Sequence, residues 1–138
     1  MKESLRPGLS KTARFQIDRD RTIDFMGDEG RVYSTPYLVR DIEMTCRNRL
    51  LDHCDAGGDS VGTDVNIKHL APPLLGMTVE IKATIAAVDG RKVAFDVLAS
   101  DGIDQICTGT HGRFVVDTAK TLERLKAKAA KLAAAKTG

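Results

Sequence analysis

The middle of the chain alternates, and this limits its fold more than any other feature. Val61, Thr63, Val65, Ile67 and His69 take turns with Gly62, Asp64, Asn66 and Lys68, until Pro72-Pro73 interrupts. Met77, Val79, Ile81, Ala83 and Ile85 do the same with Thr78, Glu80, Lys82 and Thr84, up to Asp89-Gly90. Val93, Phe95, Val97 and Ala99 lead to Asp101-Gly102, and a last such stretch runs from about Ile103 to Val116. A period of two buries one face of a strand. Asp-Gly between two such runs makes a tight hairpin. The chain therefore reads as an antiparallel meander whose apolar face needs a cover.

The cover lies upstream. Ser34-Thr35-Pro36 is a helix start, with a hydroxyl to cap free N–H groups and a proline that tolerates the first turn. The spacing predicts a helix to about Cys54, stopped by Asp55-Ala56-Gly57-Gly58-Asp59. Before it, Phe15 and Ile17, then Ile23 and Phe25, alternate within residues 11–26, which gives one strand or two short ones. Gly27-Asp28-Glu29-Gly30 is a loop. From Ala119, Leu122, Leu125, Ala129 and Leu132 fall at helical spacing. The class is α+β: one long helix packed on a curved antiparallel sheet, plus a C-terminal basic helix. A helix laid across such a sheet is the hot-dog arrangement. The edge of so small a sheet calls for a second copy, so a homodimer is expected.

A chain of 138 residues suits a single core. With no Trp and 4% aromatics, that core must be aliphatic. Lys120, Arg124, Lys126, Lys128, Lys131 and Lys136 stand against Glu123 alone, so this tail carries +5 of the chain's net +2, and the rest sums to −3. We divide the chain accordingly, into a domain over 1–117 and a basic Ala/Lys-rich helix over 118–138. The modest total charge and the absence of a binding module beside the tail argue against a nucleic-acid partner. No apolar run approaches the ~18 residues of a membrane span, and residues 1–7 lack a signal-peptide core. Cys46, Cys54 and Cys107 sit in apolar-rich segments, as reduced thiols of a cytoplasmic protein do. Cys46, His53 and Cys54 match no metal-ligand spacing, so no metal is expected.

Three polar residues break the pattern. Glu43 shares the helical stripe of Val39, Ile42, Cys46, Leu50 and Cys54. A carboxylate there must be paired, or must reach solvent at the edge of the stripe. His69 ends its strand in phase with Val65 and Ile67, as a general base near neutral pH or as a satisfied core histidine. Thr35 stands at a helix N-terminus, whose free N–H groups suit a polarised carbonyl. Either it or Ser34 fills the cap. A hydroxyl, a carboxylate and an imidazole are the ingredients of activated-nucleophile or activated-water chemistry. His111 and Arg113 share one strand face, and Arg113 suits an anionic group or a surface ion pair.

The run Val61-Gly62-Thr63-Asp64-Val65-Asn66-Ile67-Lys68-His69-Leu70-Ala71-Pro72-Pro73 resembles the central strands of hot-dog acyl-CoA thioesterases. VDGRKVAFDVLASDGIDQICTGTHGRFVV is similar to the closing strands of the fluoroacetyl-CoA thioesterase group. The resemblance implies hydrolysis of an acyl-CoA, with coenzyme A part of the substrate and no cofactor. It implies a catalytic Thr35, Glu43 and His69, an active-site Gly62 and an active-site Arg113. Where that group has lid phenylalanines, this chain has Met26 and Glu29, which implies a general small acyl-CoA or another thioester in place of selectivity for the fluoroacetyl group. The rival expectation is a non-catalytic hot-dog protein that binds an acyl-CoA or CoA-like ligand, because fold alone does not secure catalysis.

Overall fold

The computed structural model describes residues 1–137. Its elements run β1 (Ser10–Gln16), a short 3-10 turn (Asp28–Gly30), α1 (Thr35–Leu51), β2 (Gly58–His69), β3 (Thr78–Asp89), β4 (Lys92–Ser100), β5 (Gln105–Asp117) and α2 (Thr118–Thr137). The five strands form one antiparallel sheet in the order β1-β3-β4-β5-β2. The expected α+β hot-dog arrangement is present. Ile23 and Phe25 form no second strand, and beside them Thr22 makes only an isolated bridge to Tyr33.

The alternation works as expected in β3 and β4. Val79, Ile81, Ala83 and Ile85 and then Val93, Phe95, Val97 and Ala99 are all buried, while their neighbours face out. α1 lies over that face with Leu38, Ile42, Cys46 and Leu50, and Ile17, Tyr33, Ile106, Cys107 and Val115 close the core. Each large aliphatic side chain buried here contributes roughly 1.5–3 kcal/mol. All three cysteines are buried free thiols. Burial pushes Cys46 up to about 12 and Cys107 up to about 11, so both are packing residues.

Two sequence expectations need correction. The stripe of α1 is rotated from the expected one, because Asp41 and Thr45 are buried beside Leu38 and Ile42, while Val39 is only half-buried. Glu43 consequently falls on the edge of the stripe, with its side chain 39% exposed. β2 also does not keep one phase. A bulge between Gly62 and Asp64 shifts the register against β5. Residues opposite one another in an antiparallel pair share a face. Val61 lies opposite Phe114, Gly62 opposite Arg113, Val65 opposite His111 and His69 opposite Cys107. The extra residue thus turns Val61 away and brings Gly62 onto the helix side with Val65 and His69.

β2 is a long edge strand with no neighbour on its outer flank, and Val61 and Val65 are 47% and 36% exposed. No helix among the described residues is long and apolar enough to cross a membrane.

Candidate active site

Ser34 supplies the cap of α1: its hydroxyl accepts from the Tyr37 N–H at 3.4 Å. That leaves the Thr35 hydroxyl free for a tertiary contact, and it meets His69 Nδ1 at 2.9 Å. The first turn of the helix is thereby joined to the last residue of β2. Both residues line a cavity of about 300 Å³, walled by Ile23, Val32, Tyr33 and Leu70. Burial lowers the His69 pKa, opposed by the Ala71 backbone, which keeps the imidazole neutral near neutral pH. A neutral imidazole has one acceptor nitrogen, which a general base requires. The His69 Nε2 is buried without a hydrogen-bond partner.

Behind His69 lies a network that the alternation did not reveal. The Tyr33 ring stands edge-on to the imidazole, 6.3 Å between centroids at 78°. Its hydroxyl donates to Asp41, which is wholly buried. Arg21 Nε and a second guanidinium N–H donate to the same carboxylate at 2.9 and 3.2 Å. Arg21 also reaches Asp18 at 2.8 Å and lies against the rings of Phe15 and Tyr37. Desolvation and the Asp41 carboxylate hold the Tyr33 phenol well above its ordinary range, so it stays a donor. A charged residue in step with Leu38 and Thr45 was the available signal for this pairing.

Glu43 belongs to a second cluster. It lies two turns along α1 from Thr35, about 12 Å by helical rise. A Cβ at Gly62 would run into Glu43 Oε1 and press on His111 Cε1 at 3.3 Å, so only glycine admits the carboxylate here. Arg113 approaches Glu43 Oε1 at 4.0 Å. Its own guanidinium is fixed elsewhere, donating to Ser60 Oγ and Ser60 O at 2.7 Å each. Arg113 is 5% exposed, so the surface ion pair is excluded. His111 Nδ1 meets the Asp64 carbonyl at 2.8 Å and its Nε2 meets an Arg113 N–H at 3.2 Å. A carbonyl only accepts, so Nδ1 carries the proton and Nε2 accepts. His111 and Arg113 thus hold β2 on both sides of its bulge.

The structure therefore joins Thr35 to His69, and Glu43 to Gly62 and Arg113. Among the described residues no hydrogen bond or ion pair links the two sets. Gly62 and His69 stand at opposite ends of the inward stretch of β2, separated by about 20 Å at the rise of a strand. No group of histidine, cysteine and carboxylate side chains suited to a metal occurs among the described residues.

Residues 17–119 match the family described as fluoroacetyl-CoA-specific thioesterase. The fluoroacetyl-CoA thioesterase of Streptantibioticus cattleyicolor is 30% identical over 135 residues, 93% of this chain and 94% of that one. A crystal structure of a point mutant of the fluoroacetyl-CoA-specific thioesterase superposes with a TM-score of 0.85 at 28% identity, over 92% of this chain and 99% of that one. A Thermus thermophilus protein of the thioesterase superfamily shares the fold, with a TM-score of 0.86 at 24% identity over 96% and 98% of the two chains.

Proposed function

The chain belongs to the fluoroacetyl-CoA-specific thioesterase family, and on that premise we propose that it hydrolyses the thioester of a small acyl-CoA with Thr35, Glu43 and His69. The observation that carries this reading is the 2.9 Å contact between Thr35 and His69 at the mouth of an apolar cavity. The N-terminus of α1 presents partial positive charge there, suited to a thioester carbonyl as it becomes an oxyanion. His69 takes a proton from the attacking water, which meets either the thioester directly or the anhydride left by attack of Glu43, and that proton goes to the departing thiolate. Thr35 holds the ring and the substrate rather than Glu43. Glu43 attacks the carbonyl or activates the water that does so. The bulge at Gly62 offers backbone N–H groups beside that carboxylate, and Arg113 offers a fixed positive charge.

Glu43 is too far along its own α1 to serve the His69 of the same chain. The bare edge of β2 supplies the resolution. Two antiparallel β2 strands paired about a two-fold axis place the Gly62 end of one beside the His69 end of the other. The active unit is a homodimer with two composite sites, each using Glu43, Gly62 and Arg113 of one protomer and Thr35 and His69 of the other. Val61 and Val65, exposed on this edge, are then covered.

The acyl group is short and uncharged. The cavity beside Thr35 is walled by aliphatic side chains and Tyr33. Met26 and Glu29 stand where the family's lid phenylalanines do, and Phe25 and Met26 are 79% and 59% exposed. A panel of acetyl-, propionyl-, butyryl- and fluoroacetyl-CoA, followed by thiol release, tests this. Turnover of the unfluorinated esters at rates matching or exceeding fluoroacetyl-CoA is expected. No thiol release from any of them refutes the hydrolase.

A further inference from the structure

The basic tail takes no part in the chemistry above, yet its first turns build a charged cleft. Lys120, Thr121 and Arg124 of α2 face Arg91 of the β3–β4 turn and Val115 and Asp117 of β5 across a cavity of about 240 Å³. Arg91 is tied there by an N–H to the Val115 carbonyl at 3.2 Å, and its own carbonyl accepts from the Val115 N–H at 2.9 Å. The acid in the cleft is already engaged, since Asp117 Oδ1 accepts from the Lys120 backbone N–H at 3.1 Å. Among the described residues, neither Lys120 nor Arg124 forms an ion pair. Three cations thus converge on one cleft with a single acid, which is occupied in capping α2. Asp55 also acts on Arg91 from the adjoining surface, but the three cations outnumber the acids and leave the cleft net positive, which favours a multiply charged anion.

The position of the cleft indicates which anion. Arg113, beside Glu43 and Gly62, lies on β5 four residues before Asp117. That is about 13 Å along the strand. Thioester carbon and cationic cleft are thus separated by a span that the pantetheine arm of coenzyme A covers. We propose that Arg91, Lys120 and Arg124 bind the phosphate groups at the nucleotide end of coenzyme A. This rests on the thioesterase reading for the identity of the ligand, but the site itself does not depend on turnover. It also gives the charge of α2 a purpose. The residues nearest the sheet hold the ligand, and the thioester reaches the catalytic groups through the uncharged arm.

Charge reversal tests it with two substrates. In the double variant Lys120→Glu, Arg124→Glu, both altered side chains are exposed, so the core is untouched. For an acyl-CoA, kcat/KM is expected to fall about ten- to a hundredfold, through KM, as two charge-assisted contacts are lost. For the same acyl group on pantetheine, which has no phosphate, kcat/KM is expected to stay within about twofold. Adenosine 3′,5′-diphosphate should inhibit the unaltered protein competitively and lose that effect in the variant. Calorimetric titration with free coenzyme A supplies a readout without turnover. Tight binding by the unaltered protein, lost in the variant, upholds the site even where no thioester is cleaved. Equal loss on both substrates, or no loss on either, overturns it, as does coenzyme A binding unaffected by the double reversal.

Discussion

The Thr35 hydroxyl and the His69 Nδ1 meet at 2.9 Å, and this one contact ties the start of α1 to the end of the edge strand. It is possible because Ser34, and not Thr35, caps the helix. The division of labour between adjacent hydroxyls makes His69 the first residue to test. His69→Ala is expected to lower kcat by about 10²–10⁴ with little change in fold. Burial lowers the imidazole pKa, so the neutral base persists below the ordinary histidine value of 6.5. Activity should therefore hold through pH 6.5 and fall only as acid protonates His69 below it. The linkage has the same sign. A folded pKa below the unfolded one makes the stabilising contribution complete above the unfolded value and lost as pH falls through the folded one. An acid limb of kcat/KM centred above 6.5 would contradict this.

Gly62 and Glu43 form a pair that a double-mutant cycle can resolve. Gly62→Ala puts a methyl group where Glu43 Oε1 lies. We expect kcat to fall by about ten- to a hundredfold, because the carboxylate must swing out of place. In a Glu43→Ala background there is no carboxylate to displace, so Gly62→Ala should cost little more. Additive losses in the double variant would mean that the glycine acts by some other route than making room for Glu43.

The alternation made β2 to β5 and their hairpins legible, since a period of two is dictated by one buried face. The helix was equally plain from its cap and its glycine stop. What the pattern concealed were contacts that pair polar groups. Asp41 falls in step with Leu38 and Thr45, but the partners that satisfy it, Arg21 and Tyr33, are evident only in the structure, and its burial rotates the helix and sets Glu43 at the edge. The bulge at Gly62 is invisible to periodicity, because an extra residue changes phase without changing composition. Thr35, Glu43 and His69 stood out on the residues alone, but their partition into two clusters is a matter of distance that no spacing encodes.

Breaking the Asp41 network should destabilise the fold more than any exposed ion pair does. Asp41→Ala leaves Arg21, 18% exposed, without its main partner and is expected to cost about 3–5 kcal/mol. Tyr33→Phe removes one donor and keeps the ring beside His69, for a cost of about 1–3 kcal/mol. Urea unfolding of the three proteins reads both. Because the ring that stands beside His69 is retained, kcat should stay close to that of the unaltered protein in Tyr33→Phe. A midpoint unchanged in Asp41→Ala would show that the buried carboxylate is not held as described.

Mixed dimers test the composite site directly. A Glu43→Ala protomer retains His69, and a His69→Ala protomer retains Glu43. If each site draws Glu43 from one chain and His69 from the other, a heterodimer of the two has one intact site and one doubly damaged site. Random exchange at equal concentrations makes half the dimers heterodimers, so the mixture should recover about a quarter of the unaltered activity from two inactive parents. A site built within one chain gives a different result, because every site in the mixture then lacks one group. Sedimentation should show the dimer, and a charge placed on the edge by Val65→Lys should dissociate it and abolish turnover together. Recovery is the decisive measurement. An inactive mixture, with subunit exchange verified by tagged protomers, would place Glu43 and His69 of one chain in the same site and remove the shared one.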